Sequence, residues 1–185
     1  SSAASDVYKR QQLSSAYMPI SASAIRRDVY EAMIDQSAAA GAFGHGYTYS
    51  GHPVACAVAL RVLEIYERDN IFSRASATGA YLQEKLKKFE SHPLVGEVRG
   101  RGLRAALELV PNKELEHQFQ DGRVGGVAQK MAQDNGLLIR TVAGSSIGIC
   151  PPLIISKNQV DELVDKLGDA LDKTFEYCKT YKLLT

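Results

Sequence analysis

Apolar positions along the chain fall into two rhythms. After Pro53, Val54, Val58, Val62 and Ile65 recur at helical spacing, which predicts a long helix to about Asp69. A second helix is predicted from about Ser73 to Glu90, with Ala75, Leu82, Leu86 and Phe89 inward and Glu84, Lys85, Lys87 and Lys88 outward. His92-Pro93 stops it. Then Leu103, Ala105, Leu107 and Leu109 alternate with Arg104, Ala106 and Glu108, the pattern of a half-buried strand. Val124, Val127, Ala128 and Met131 mark a short helix closed by Asn135-Gly136. Leu137–Arg140 and Ile147–Cys150 read as strands around the turn Ala143–Ser146. Ser156-Lys157-Asn158-Gln159 is a capping box with Ile155 and Val160 as its staple. Val160, Leu163, Val164, Leu167, Leu171 and Phe175 then stripe the last helix.

The first third is less regular. Tyr17–Ile25 reads as a loop feeding a short strand. Asp28 is placed to cap a helix from about Val29 to Ala40, with Val29, Met33 and Ala40 inward. Gly41 and Gly44 close it. Pro111–Gly126 is a polar surface loop. Two helices, three strands, a helix and a closing helix make the C-terminal part an α/β sandwich, packed on what precedes it. No internal repeat is visible.

Composition narrows the class. The 185 residues suffice for a proper core, and a net charge of +1 argues for neither nucleic acid nor an anionic membrane as partner. No apolar run approaches bilayer length and no signal-peptide pattern stands out. Cys56, Cys150 and Cys178 lack metal or redox spacing, which points to reduced thiols and a cytoplasmic setting. Arg99-Gly100-Arg101-Gly102 can be read as a phosphate or RNA patch. It lacks interleaved aromatics and a wider basic field.

The richest chemistry lies in His45-Gly46-Tyr47-Thr48-Tyr49-Ser50-Gly51-His52-Pro53. A glycine-spaced polar loop entering a helix N-terminus is a ready anion site; a loop that merely needs tight turns is the alternative. His45 and His52 have no third ligand at a zinc spacing and read as helix-start hydrogen-bonding groups. Ser50 has no paired base, so it is not read as a nucleophile.

HGYTYSGHPVACAVAL resembles the signature that class III (omega) aminotransferases carry just after their catalytic lysine segment. Leu13–Ala22, Glu97–Leu103 and Cys150–Ile155 resemble further landmarks of that family, in the same order. The resemblance runs from Gln12 to the C-terminus. It implies an α/β fold, the C-terminal part of a fold type I pyridoxal-phosphate transferase: a remnant of the large cofactor domain at 12–60 and the small α/β domain at 61–185. It also implies a homodimer, with an amine or omega-amino acid as donor and a keto acid such as pyruvate as acceptor. In the family, the aromatic and threonine matching Tyr47 and Thr48 reach across the dimer interface to the partner's cofactor phosphate. Arg140 resembles the mobile arginine that binds the substrate carboxylate and swings aside for amines lacking one. A structural strand-edge arginine is the alternative reading.

The resemblance fails at one position. The family lysine that holds the cofactor aldehyde and shuttles the proton falls at Gln11, whose carboxamide cannot condense with an aldehyde. Lys9 lies two residues early, about 6–7 Å along an extended chain, too far to substitute. Asp6–Gln11 can be encoded by GATGTGTATAAGAGACAG, a transposase adapter end, so residues 1–11 are expected to be a non-native tail; a genuine disordered tail is the alternative. Two expectations follow. The chain is an aminotransferase fragment, inactive as given, or a non-catalytic module that keeps the dimer face and phosphate loop.

Overall fold

The computed structural model describes residues 7–11, 13–44, 46–114, 119, 123–142 and 144–184. They form two compact units, 1–70 and 71–185. The boundary read from the sequence, after residue 60, lies inside a helix that continues to Arg68.

In the first unit, β1 (Val7–Gln11) pairs antiparallel with β2 (Ser21–Ile25), with Gln11 opposite Ser21. Helix α1 (Arg27–Ala40) follows. Its N-cap is Arg26, which makes no side-chain cap bond. Asp28, expected to be the cap, is the second residue of the helix, within its first turn, and pairs with Arg26 at 2.7 Å. Its carboxylate still favours the positive end of the helix dipole from there. Val29 and Met33 are half-buried, Ala40 is exposed, and no α1 residue is buried. Gly41 ends the helix at φ 84°, a conformation costly for other residues.

Helix α2 (Pro53–Arg68) has Pro53 in its first turn, where the missing N–H costs nothing. Its buried face is Ala55, Ala59 and Val62. The predicted stripe thus runs one position off at its start, since Val54 is exposed. The two alanines permit closer approach than the larger valines, which hydrophobic periodicity alone does not reveal.

The second unit contains α3 (Ile71–Leu86), a 3-10 turn (Lys87–Ser91), β3 (Val95–Arg101), β4 (Arg104–Leu109), α4 (Arg123–Asp134), β5 (Arg140–Val142), β6 (Ser146–Ile149) and α5 (Lys157–Thr180). The sheet is antiparallel throughout, in the order β3-β4-β6-β5. The sequence reading has three strands here; β3 is the fourth. Its residues Gly96, Glu97, Arg99, Gly100 and Arg101 carry no apolar alternation, so pairing with β4 makes it a strand, not its own pattern. Leu137–Ile139, predicted as strand, lie outside β5, and Leu138 is largely exposed.

One face of the sheet closes the core. Leu107, Leu109 and Ile147 meet Leu82 and Leu86 of α3, Val124 and Ala128 of α4, and Val160, Val164, Leu167 and Leu171 of α5. Each large side chain so buried contributes roughly 1.5–3 kcal/mol, more than any of the exposed ion pairs. Ser156 caps α5 with the full capping box: its Oγ accepts from Gln159 N–H, and the Gln159 side chain accepts from Ser156 N–H at 3.0 Å. Tyr81 of α3 donates to Asp161 of α5 at 2.8 Å, and Lys85 pairs with the same carboxylate. Lys85, then Tyr81, hold the Asp161 carboxyl below its usual range.

Gly79 explains how α3 comes so close to the β3–β4 turn. A Cβ there would stand 2.5 Å from the backbone carbon of Gly102. Gly102 itself sits at φ 60°, and its carbonyl accepts from Gln83 at 2.8 Å.

Candidate functional site

The loop before α2 folds into tight turns. Ser50 N–H donates to the Tyr47 carbonyl at 2.9 Å, and Tyr47 N–H donates to Ser50 Oγ at 2.9 Å. Ser50 is therefore the lock of the turn. His52 N–H donates to the Tyr49 carbonyl at 3.2 Å, leading into the helix. Tyr47 and Thr48 stand side by side on this turn, and Tyr47 is 79% exposed. The Thr48 hydroxyl has no hydrogen-bond partner among the described residues. His45 lies outside the described residues. His52 occupies the N-cap, but its side chain makes no cap bond, contrary to the helix-start role expected for it. Its ring tilts against Tyr49 at 5.8 Å, and its Nδ1 is buried without a partner. Ring packing has displaced capping there.

A phosphate dianion needs several hydroxyl and N–H donors that are not already engaged. The exposed Thr48 hydroxyl, carried on a turn that enters a helix N-terminus, is one such donor. A phosphate group such as that of pyridoxal phosphate would find a donor on this turn in that hydroxyl. The aldehyde end has no amine at the position of Gln11 in β1.

Arg140 belongs to the second unit and opens β5, opposite Gly148 of β6. The neighbouring Thr141 donates to Gln129 of α4 at 3.1 Å, which fixes the strand. The Arg140 side chain is exposed and makes no ion pair among the described residues. It lines two clefts. One, of about 700 Å³, is walled by Leu137, Pro151, Ile154, Ile155 and Leu163. The other, of about 850 Å³, also holds Arg101, Arg104 and Cys150. A long guanidinium standing between two clefts can point into either. Cys56 is half-buried, Cys150 exposed and Cys178 buried, and all three are free thiols.

Arg101 and Arg104 were not singled out as partners of Arg140 by sequence. Finding them depends on the register of β3, β4 and β6, and β3 carries no strand pattern of its own.

The family model described as "Aminotransferase class-III" matches residues 5–171, which includes the segment 6–11 read above as foreign. A probable gamma-aminobutyrate transaminase 3, mitochondrial, from Oryza sativa subsp. indica is 43% identical over 165 residues, 89% of this chain and 32% of that protein. The putrescine–pyruvate aminotransferase of Pseudomonas aeruginosa is 42% identical over 163 residues, 88% of this chain and 35% of that one. The chain thus spans about a third of the length of these curated relatives. Among solved structures, the omega transaminase from Pseudomonas jessenii in complex with PMP superposes with a TM-score of 0.87 at 42% identity, covering 93% of this chain and 38% of that one. A transaminase with L-ala gives 0.89 at 41% identity, covering 93% and 41%. The relatives are aminotransferases, and the mixed α/β fold is that of their C-terminal part. This chain belongs to the class III aminotransferase family.

Proposed function

We propose that this chain is the C-terminal segment of an aminotransferase that moves an amino group from an amine or omega-amino acid to a keto acid such as pyruvate. The observation that carries this reading is the family match across 5–171, with the Thr48 hydroxyl, unpartnered among the described residues, on its turn. Pyridoxal phosphate, when bound, supplies the carbonyl that receives the amino group and the ring that takes up electrons released at the substrate Cα. Thr48 donates its hydroxyl to the phosphate, and Tyr47 beside it shapes the phosphate's seat. Both act in a homodimer, where this turn serves the partner's cofactor. Arg140 holds the substrate carboxylate with its two-pronged guanidinium and turns into the neighbouring cleft for substrates without one. The proton between Cα and cofactor requires an amine that Gln11 does not provide, so the 185 residues alone are inactive.

A chimera tests this. The N-terminal part of a relative, including its lysine, is joined to residues 13–185 and assayed for transfer from putrescine to pyruvate. Transfer is expected, with a Thr48→Ala version holding pyridoxal phosphate at least about tenfold more weakly. Unchanged cofactor affinity in that version overturns the role of Thr48. Borohydride reduction of the 185-residue chain with pyridoxal phosphate is expected to leave no adduct at Lys9.

A further inference from the structure

A turn set between two unpacked glycines does not hold itself. Gly46 and Gly51 flank Tyr47-Thr48-Tyr49-Ser50, and a Cβ at either glycine would meet nothing within 4 Å. Gly51 sits at φ 69°. Open space and the absence of a side chain leave the backbone on both sides many alternatives. Two hydrogen bonds remove them, and both end on Ser50. Its N–H donates to the Tyr47 carbonyl, and its Oγ accepts the Tyr47 N–H, each at 2.9 Å. The first is the ordinary bond of a four-residue turn. The second comes from a side chain and ties the same two residues again, a local bond that serine is short enough to make.

The corners of that turn are Thr48 and Tyr49. Tyr49 is held from its far side as well: its carbonyl accepts the His52 N–H at 3.2 Å, and its ring packs on that of His52. Thr48 has no such tether. It is exposed, and its hydroxyl has no partner among the described residues. Only its own backbone aims it. Threonine is β-branched, so φ and ψ leave χ1 few choices, and the backbone setting decides where the hydroxyl points. That setting is decided in turn by the closure between Tyr47 and Ser50.

We propose that Ser50 is a positioning residue for cofactor binding: by holding the Tyr47 N–H with its Oγ, it fixes the corner from which Thr48 offers its hydroxyl to the phosphate. This rests on the reading of Thr48 as a phosphate donor. Ser50 acts through Thr48, since its own oxygen is taken up inside the turn. A donor held in place before the ligand arrives costs less to order on binding. Where the turn opens, only the closed fraction binds, and apparent affinity falls in proportion. Loss of one such hydrogen bond shifts the balance against the closed form about fivefold.

The test has two parts. In the 185-residue chain, amide hydrogen exchange is followed by NMR. The Tyr47 amide is expected to exchange about fivefold faster in Ser50→Ala and to regain its protection in Ser50→Thr, which keeps an accepting oxygen. The amides of Val58 and Val62 in α2 are expected to keep their rates in both variants. In the chimera, pyridoxal phosphate affinity is measured by equilibrium dialysis. Ser50→Ala is expected to weaken it by up to about fivefold and Ser50→Thr to restore it. Ser50→Ala is expected to add nothing in a chimera that already carries Thr48→Ala. Unchanged Tyr47 exchange in Ser50→Ala, faster exchange throughout α2, failure of Ser50→Thr to restore either quantity, or a full Ser50→Ala effect beside Thr48→Ala overturns the proposal. Failure of the underlying reading looks different: cofactor affinity then ignores Thr48→Ala itself. A chimera weakened by Thr48→Ala but not by Ser50→Ala removes the role of Ser50 alone.

Discussion

Helices α1 and α5 are both amphipathic in sequence, yet they end in opposite situations. Helix α5 begins with a complete capping box and buries Val160, Val164, Leu167, Ala170, Leu171, Thr174 and Cys178. Helix α1 begins without a side-chain cap and buries nothing. Tyr30 and Ile34 of α1 are exposed, as are Phe43, Tyr47, Tyr49 and Val54 just beyond. The contiguous core cluster is drawn wholly from residues after Ile71. The contrast teaches that periodicity specifies which residues can face inward, while burial depends on there being something to face. The second unit supplies its own inside. The first presents apolar surface in a chain that spans about a third of the length of its curated relatives.

The sharpest way to break this comparison is a matched pair of truncations. Leu107→Ala, at a fully buried site in a central strand, is expected to cost about 2–5 kcal/mol in chemical denaturation. Ile34→Ala, on the exposed face of α1, is expected to stay within about 0.5 kcal/mol. Comparable losses at both sites would show that α1 is packed after all. A second pair uses glycines. Gly79→Ala forces a methyl into the Gly102 backbone and is expected to cost about 1–3 kcal/mol, whereas Gly44→Ala meets nothing within 4 Å and is expected to leave the melting temperature unchanged.

These pairs also mark what was readable in the sequence. The capping box, the α5 stripe, the β4 alternation and the Pro53 helix start were legible because each is a local pattern with a local cause. Strand β3 was not, because Gly96-Glu97-Val98-Arg99-Gly100-Arg101 becomes a strand only by lying against β4. The α2 stripe was misplaced because small alanines, not the larger valines, form its buried face. His52 was misjudged because ring packing against Tyr49 leaves no trace in spacing. For the candidate site, the resemblance names Tyr47, Thr48 and Arg140, and the structure sets the first two on one turn and Arg140 at the start of β5. The grouping of Arg101 and Arg104 with Arg140 was invisible, since it is a product of strand register.

Two smaller effects sharpen the contrast further. Ser156→Ala removes the α5 cap and is expected to cost about 1 kcal/mol, measured by denaturation. Helix α1 has no such contribution to lose. His92 supplies a pH signature confined to the second unit. Its Nδ1 accepts the Leu94 N–H at 3.2 Å and its Nε2 faces Asp172 at 3.3 Å, so the neutral ring suits both contacts. Burial lowers its pKa, outweighing the opposing pull of Asp172, and Lys113 adds to the lowering. The unfolded chain therefore binds the proton more readily than the folded one. Stability from this group is intact above about pH 6.5 and declines as pH falls below it. Melting temperature against pH is expected to lose that acid-side slope in His92→Gln.

The order β3-β4-β6-β5 has a consequence for how the molecule meets others in concentrated solution. One outer strand, β5, has three residues, and the other, β3, is studded with Glu97, Arg99 and Arg101. Short or charged margins discourage strand-by-strand addition of a neighbour. Where this chain clusters, the contact is expected to be made through greasy helical surface such as that of α1, leaving the sheet sealed. Infrared spectra of such clusters should then retain the native amide profile, without the band that marks fibrillar growth, and dilution should return them to solution.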